Sequence, residues 1–186
     1  MSNHSHYFLA IPLPDTVKWY LADWSNSIRN LTFDYKEWVH EKDFHITVKF
    51  LGGVADIKLK EMLEPLQYKV STLASFSMKG DKVGTFGTPK TPRVLWAGVQ
   101  SDPVLFDNQK VLDPLFSKFG FTRENRPYRP HITIAKKWVG GTLDVKTLPQ
   151  LPSELENQWR VDHLVLYKIH PSKQPKYEEF ASFQLK

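Results

Sequence analysis

Hydrophobic and polar positions change period several times along the chain, and each change marks an element. Tyr7 to Leu13 (YFLAIPL) is a continuous apolar run and predicts a buried first strand. Pro14-Asp15 opens a stretch where Val17, Tyr20, Leu21, Trp24 and Ile28 recur at three- and four-residue spacing, so a helix is expected to about Asn30. A short strand is expected at Lys36 to Val39. From Phe44 to Leu51 the period is two. Phe44, Ile46, Val48 and Phe50 point one way and His45, Thr47 and Lys49 the other, which describes a sheet with one dry and one wet face. Gly52-Gly53 ends that strand. A second helix follows, with Asp56 as its cap and Leu59, Met62, Leu63, Leu66 and Val70 as its apolar stripe.

Phe76 to Phe86 predicts a strand or hairpin, and the Pro-rich connection Gly87 to Pro92 a break in regular structure. Arg93 to Val99 reads as another buried strand. A third helix, roughly Pro103 to Phe119, groups Val104, Val111, Leu112, Leu115 and Phe119 and stops at Gly120. Pro130 leads into His131 to Lys136, where Ile132 and Ile134 alternate with His131, Thr133 and Ala135. Val139 to Ser153 reads as loop. Val161 to Ile169 and Tyr177 to Leu185 are the last two strands, joined by a turn around Pro171 to Pro175. Two passages resemble each other, HITVKF at His45 and HITIAK at His131, and each begins a half-wet strand. They predict an internal duplication: an α+β fold of two lobes facing each other, helices outside and a sheet cleft inside, within one domain over residues 1–186.

The composition, 41% hydrophobic and 24% charged over 186 residues, is that of an ordinary globular chain with a buried core. No apolar run is long enough to span a bilayer, and Met1 to His6 lacks the layout of a signal peptide, so a cytoplasmic protein without membrane association is expected. The absence of cysteine excludes a disulfide framework and thiol catalysis, and leaves only His and carboxylates for any metal. A net charge of +5 suits a polyanionic partner without requiring one.

With seven histidines and eleven threonines in the chain, chance supplies roughly 0.4 His-x-Thr tripeptides. A single one is more often just the wet face of a sheet. Two, both His-Ile-Thr and both on alternating strands, are far less expected. Residues i and i+2 of a strand share a face, so His45 projects with Thr47 and His131 with Thr133. Two imidazoles and two hydroxyls in one cleft suit in-line displacement at a cyclic phosphodiester: a neutral histidine takes a proton from water, a protonated one gives its proton to the departing ribose oxygen, and hydroxyls donate to the non-bridging oxygens. No metal or other cofactor is required. A structural zinc site lacks ligands beyond the two histidines, and the His-x-His-x-His run of histidine-triad hydrolases is absent.

These residues resemble a known family. HITVKFLG, His45 to Gly52, is similar to the first signature of the two-histidine phosphoesterases, His-x-Thr-x-x-Phe-Leu-Gly, and His131 to Lys136 to the second, His-x-Thr-x-x-Arg. The flanking YFLAIPLP and TPRVLWAGV segments fit too, and the resemblance covers nearly the whole chain. It points to the LigT/ThpR-like branch, RNA 2′,3′-cyclic phosphodiesterases once named 2′-5′ RNA ligases. The resemblance implies a bilobal fold with pseudo-twofold symmetry, and opening of an RNA terminal cyclic phosphate to a 2′-phosphate, with His45 as acid and His131 as base. Lys136 stands where the family usually has Arg; it keeps the charge but not bidentate recognition, so the phosphate is held more loosely or with help from Arg129 or Arg126.

Around the motifs, Lys49 either reaches the phosphate from its strand face or ends exposed. Trp138 and Tyr128 are better candidates than Trp38 for stacking a base, and Trp96 reads as core. His40, His163 and His170 read as structural or surface residues. The expected partner is RNA or a nucleotide with a cyclic phosphate end, and a monomer is favoured. Two alternatives stay open: a two-histidine enzyme for another substrate, such as ADP-ribose 1″,2″-cyclic phosphate or a 2′-5′ linked nucleotide, and a non-catalytic RNA-binding module. Complete acid–base motifs argue against the last.

Overall fold

The computed structural model describes residues 4–31 and 33–186. Helix α1 (Asp15–Arg29) turns Val17, Leu21, Trp24 and Ile28 inward, as its spacing predicts. Helix α2 (Asp56–Val70) buries Leu59, Met62, Leu66 and Val70; Asp56 sits in its first turn, with Ala55 in the capping position and no side-chain cap. Asp56 therefore acts on the helix dipole and not as a cap. Helix α3 (Val104–Lys118) buries Leu105, Asn108, Leu112 and Phe116 and leaves Val111 exposed. The buried face is turned from the expected one and takes in a polar residue: the Asn108 amide donates to the Ala74 carbonyl at 2.9 Å, which removes the penalty of burying it.

The strands are β1 (His6–Pro12), β2 (Tyr35–Trp38), β3 (His45–Gly53), β4 (Phe76–Thr88), β5 (Thr91–Ser101), β6 (His131–Trp138), β7 (Trp159–Val161), β8 (His163–Ile169) and β9 (Tyr177–Gln184). Among the described residues they form one curled antiparallel sheet in the order β7-β4-β5-β6-β3-β1-β8-β9, with β2 added alongside β6. Counted outward from the β3–β6 seam, β3, β1, β8 and β9 mirror β6, β5, β4 and β7. The duplication is therefore a pseudo-twofold about that seam, with the halves side by side in one sheet instead of face to face. A shared core joins the dry face of both halves, including Ile46, Leu95 and Ile132, to Leu21, Leu66 and Phe116 of the helices.

Two boundaries differ from the sequence reading. Gly87 to Pro92 does not interrupt the sheet: β4 and β5 run through it and turn at Pro89-Lys90. Gly87 makes this possible at φ +113, where a Cβ would lie 2.1 Å from the Thr91 carbonyl. Val161 to Ile169 is two strands, not one. The chain breaks at Asp162, sending β7 to pair with β4 and β8 to pair with β1 and β9. The Asp162 carbonyl accepts from the Leu185 amide at 2.7 Å, which extends the β8–β9 ladder by one pair.

Candidate active site

The seam carries both His-x-Thr motifs. Ile46 pairs with Ile132, and both are buried on the dry face. That antiparallel register sets His45 across from Thr133 and Thr47 across from His131, all four on the opposite face. Each imidazole is tethered in the same way. His45 Nδ1 donates to the Asp43 carbonyl at 2.7 Å, and His131 Nδ1 to the Arg129 carbonyl at 2.8 Å. A carbonyl can only accept, so Nδ1 carries the hydrogen and Nε2 is left for the cleft. His45 Nε2 lies 3.1 Å from Thr47 Oγ1. Aromatic rings wall both imidazoles: Phe8 at 4.6 Å and Tyr177 at 5.1 Å from His45, Phe86 at 4.8 Å and Trp96 at 6.5 Å from His131, between ring centres.

Burial among these rings pushes the pKa of His45 down to about 4; its bond to Asp43 opposes the shift, and the charges of Lys136, His131 and Lys18 reinforce it. Burial also holds His131 below 6.5, with Lys136 adding to the effect. Lys136 is itself lowered, first by burial and then by Lys176. Free, the cleft holds two neutral imidazoles beside a cationic cluster. An arriving anion reverses the balance, because its charge favours the protonated form of each group.

A β-bulge follows each motif at the same offset. Ala10 and Leu9 face Thr47 and Lys49, so Val48 is the extra residue; Trp96 and Leu95 face Thr133 and Ala135, so Ile134 is. A bulge reverses the phase of the side chains beyond it. Phe50, expected on the dry face, is 58% exposed and lines the cleft. Lys49, expected on the wet face, is 5% exposed. It pairs with Asp113 at 2.9 Å and donates to the Thr122 carbonyl at 2.6 Å, which removes it from the candidate phosphate contacts. In β6 the same shift buries Ala135 and brings Lys136 to the histidines, whose protonation it opposes.

Arg129 contributes its carbonyl to His131, while its exposed side chain lines the cleft near Arg126. Tyr128 also lines the cleft and donates to the Thr47 carbonyl at 3.0 Å; burial pushes its hydroxyl pKa up. Trp138 does not reach the site: its Nε1 donates to the Gly141 carbonyl and its ring packs on Tyr35. Trp38 donates to the Tyr35 carbonyl, beneath Arg29. Trp96, read as core, is half-buried beside His131. His40 receives the Lys42 amide, and His163 and His170 bond to Asp162 and Glu178.

The main residue missed from sequence is Asp43. Its buried carboxylate accepts the amides of Lys176 and Tyr177, at 2.9 and 3.1 Å, while its carbonyl holds His45. Asp43 thus fixes the start of β9, and with it Tyr177, against the imidazole. The one available signal is positional: Asp43 precedes His45 by two, as Arg129 precedes His131. Among the described residues no group of three His, Asp or Glu is placed as a metal would require.

A sheet duplicated about a seam that carries one imidazole from each half is the architecture of the two-histidine phosphoesterases. Escherichia coli LigT in complex with 3′-AMP shares the fold with a TM-score of 0.79 at 22% identity over 98% of both chains, and a Thermus thermophilus protein does so with 0.79 at 21% over 97% of both. The chain belongs to the 2′-5′ RNA ligase superfamily, which matches residues 20–173. Relatives named RNA 2′,3′-cyclic phosphodiesterase include one from Geobacillus stearothermophilus, 35% identical over 182 residues, and one from Bacillus subtilis strain 168, 32% identical over 180. The matches cover 97% of this chain in both cases, but 57% of the Geobacillus protein and 96% of the Bacillus one. No described helix is long and apolar enough to cross a membrane.

Proposed function

We propose that the protein hydrolyses the terminal 2′,3′-cyclic phosphate of RNA to a 2′-phosphate, without a metal. The observation that carries this reading is the repeated tether, Nδ1 to the carbonyl two residues back, on two imidazoles that share one sheet face at the β3–β6 seam. Water attacks phosphorus as His131 Nε2 takes its proton. The P–O3′ bond breaks, and O3′ receives the proton of His45 Nε2 while O2′ keeps the phosphate. Each transfer contributes about 10²–10⁴-fold. The Thr47 and Thr133 hydroxyls donate to the non-bridging oxygens, and Lys136 and Arg129 offset the charge gathering there.

His45 begins neutral, so the proton it gives is taken up with the substrate, whose anion restores the depressed pKa. Solvent exchange then resets the pair. The names of the relatives support the RNA cyclic end as substrate. The test is direct: purified protein is incubated with a short RNA bearing a cyclic end, and the product is assigned by phosphorus NMR. A 2′-phosphate with a free 3′-hydroxyl is expected. A 3′-phosphate would reverse which oxygen leaves, and unchanged RNA would refute the reading.

A further inference from the structure

The two imidazoles share a tether, but the residues that supply its carbonyls differ. Arg129 is exposed, in the stretch from Gly120 to Pro130 that has no helix or strand. Asp43 is 4% exposed and is the only acidic residue buried among the described residues. It closes the short 3-10 turn Glu41–Asp43. A buried carboxylate is costly unless hydrogen bonds compensate it. Here they come from the amides of Lys176 and Tyr177, where β9 begins at the edge of the sheet. Edge strands have amides without a ladder partner, and bonds from such amides to a charged acceptor are among the stronger ones.

This grip sets one wall around His45. The Tyr177 ring meets the imidazole edge-on at 5.1 Å and the Phe8 ring at 4.9 Å. Phe8 sits on β1, paired on both sides by β3 and β8, whereas β9 is held by β8 alone. Around His131 the rings come from the β4–β5 hairpin, which is paired as far as its turn and bound to β6 through β5. The charged and titratable groups around His45 are Lys136 and His131 on β6, Lys18 on α1, Glu37 on β2, Lys176 before β9, Asp43, and the hydroxyls of Tyr167 and Tyr177. Lys136, His131 and Lys18 oppose protonation of the imidazole, and its burial opposes it more. Opening the wall therefore raises the pH at which His45 titrates.

Resting on the function proposed above, we infer that Asp43 is a positioning residue for His45, its carboxylate pinning Tyr177 over the imidazole while its carbonyl fixes the ring's tautomer. Closure of the wall and orientation of the ring then depend on one residue, and only one of the two histidines has such a clamp. Histidine titration followed by NMR tests this without turnover. In wild type His45 should titrate at about pH 4. Asp43→Asn offers one acceptor oxygen and turns an NH2 group toward the other amide; Asp43→Ala offers no acceptor. In both variants His45 should titrate at least about one pH unit higher, while His131 titrates as in wild type. Tyr177→Ala should reproduce the rise with Asp43 in place, so it carries the test even if the Asp43 variants do not fold. Tyr177→Phe keeps the ring and should leave the titration of His45 unchanged. A His45 that titrates as in wild type in the Asp43 variants, or in Tyr177→Ala, would overturn the inference. An equal rise at His131 would overturn it too, because it would mean a general loosening of the fold. The expected pattern supports the clamp even where no cyclic end is hydrolysed, and the proposed reaction alone would then fail.

Discussion

His45 and His131 have the same tether but unequal surroundings, and pH should expose the difference. Both lie below 6.5 in the free protein, His45 at about 4, and the proposed mechanism makes them share one proton as a coupled pair. The reactive form has one proton on the pair. It is lost to double protonation at low pH and to deprotonation at high pH, so kcat/KM should be bell-shaped with its maximum on the acid side of 6.5. Bound phosphate raises both values, so the maximum of kcat should fall at higher pH. A kcat/KM that keeps rising above about pH 7 would contradict the assignment. His45→Ala and His131→Ala should each lower turnover at least about 10²-fold, with thermal melts close to wild type because both side chains face the cleft. If His45 is the acid, its alanine variant should regain disproportionate activity on a nitrophenyl phosphodiester, whose leaving group needs no proton. His131→Ala should not. The opposite pattern would exchange the two roles.

At the scale of elements, the bulges separate what the sequence displays from what it hides. Alternation announces His45, Thr47, His131 and Thr133, because all four precede the bulged residue. It misplaces Lys49 and Phe50 because pattern alone has no symbol for an extra residue, and both follow Val48. The same blindness puts Ala135 on the wet face. The break at Asp162 is likewise invisible, since β7 and β8 are both apolar and only their partners differ. Trp96 is misread for another reason: an apolar run does not say that one of its rings borders a cleft. Helix spacing is more legible in α1 and α2, whereas in α3 only Leu112 of the expected stripe is buried, the inner face having turned to Leu105, Asn108 and Phe116. The Lys49–Asp113 pair carries an energetic prediction. Lys49→Met strips a nearly buried carboxylate of its main partner and should cost about 3–5 kcal/mol, the range for breaking a buried pair. Adding Asp113→Leu should recover most of that loss in denaturant titrations. A Lys49→Met variant as stable as wild type would mean that the pair holds nothing.

For the whole molecule, one sheet and one seam mean that the two half-sites share a hydrogen-bonded ladder. The acid–base scheme passes every proton through imidazole, so prolonged EDTA treatment should leave hydrolysis of a cyclic end unchanged. Loss of activity with rescue by one divalent ion would show that the histidines are ligands. The bulges give the seam a further property. Each half offers a position three residues beyond its threonine, and the pseudo-twofold would make these positions alike, yet one holds Phe50 and the other Lys136. On the proposed chemistry, a pocket with equal positions would accept the cyclic phosphate in either of two orientations related by the pseudo-axis. His45 and His131 would trade duties from one turnover to the next, and O2′ and O3′ would leave with similar frequency. An aromatic ring on one side and a cation on the other end that degeneracy. On that proposal the two histidines keep the pseudo-twofold, and the choice of leaving oxygen falls to Phe50 and Lys136, where the two halves differ.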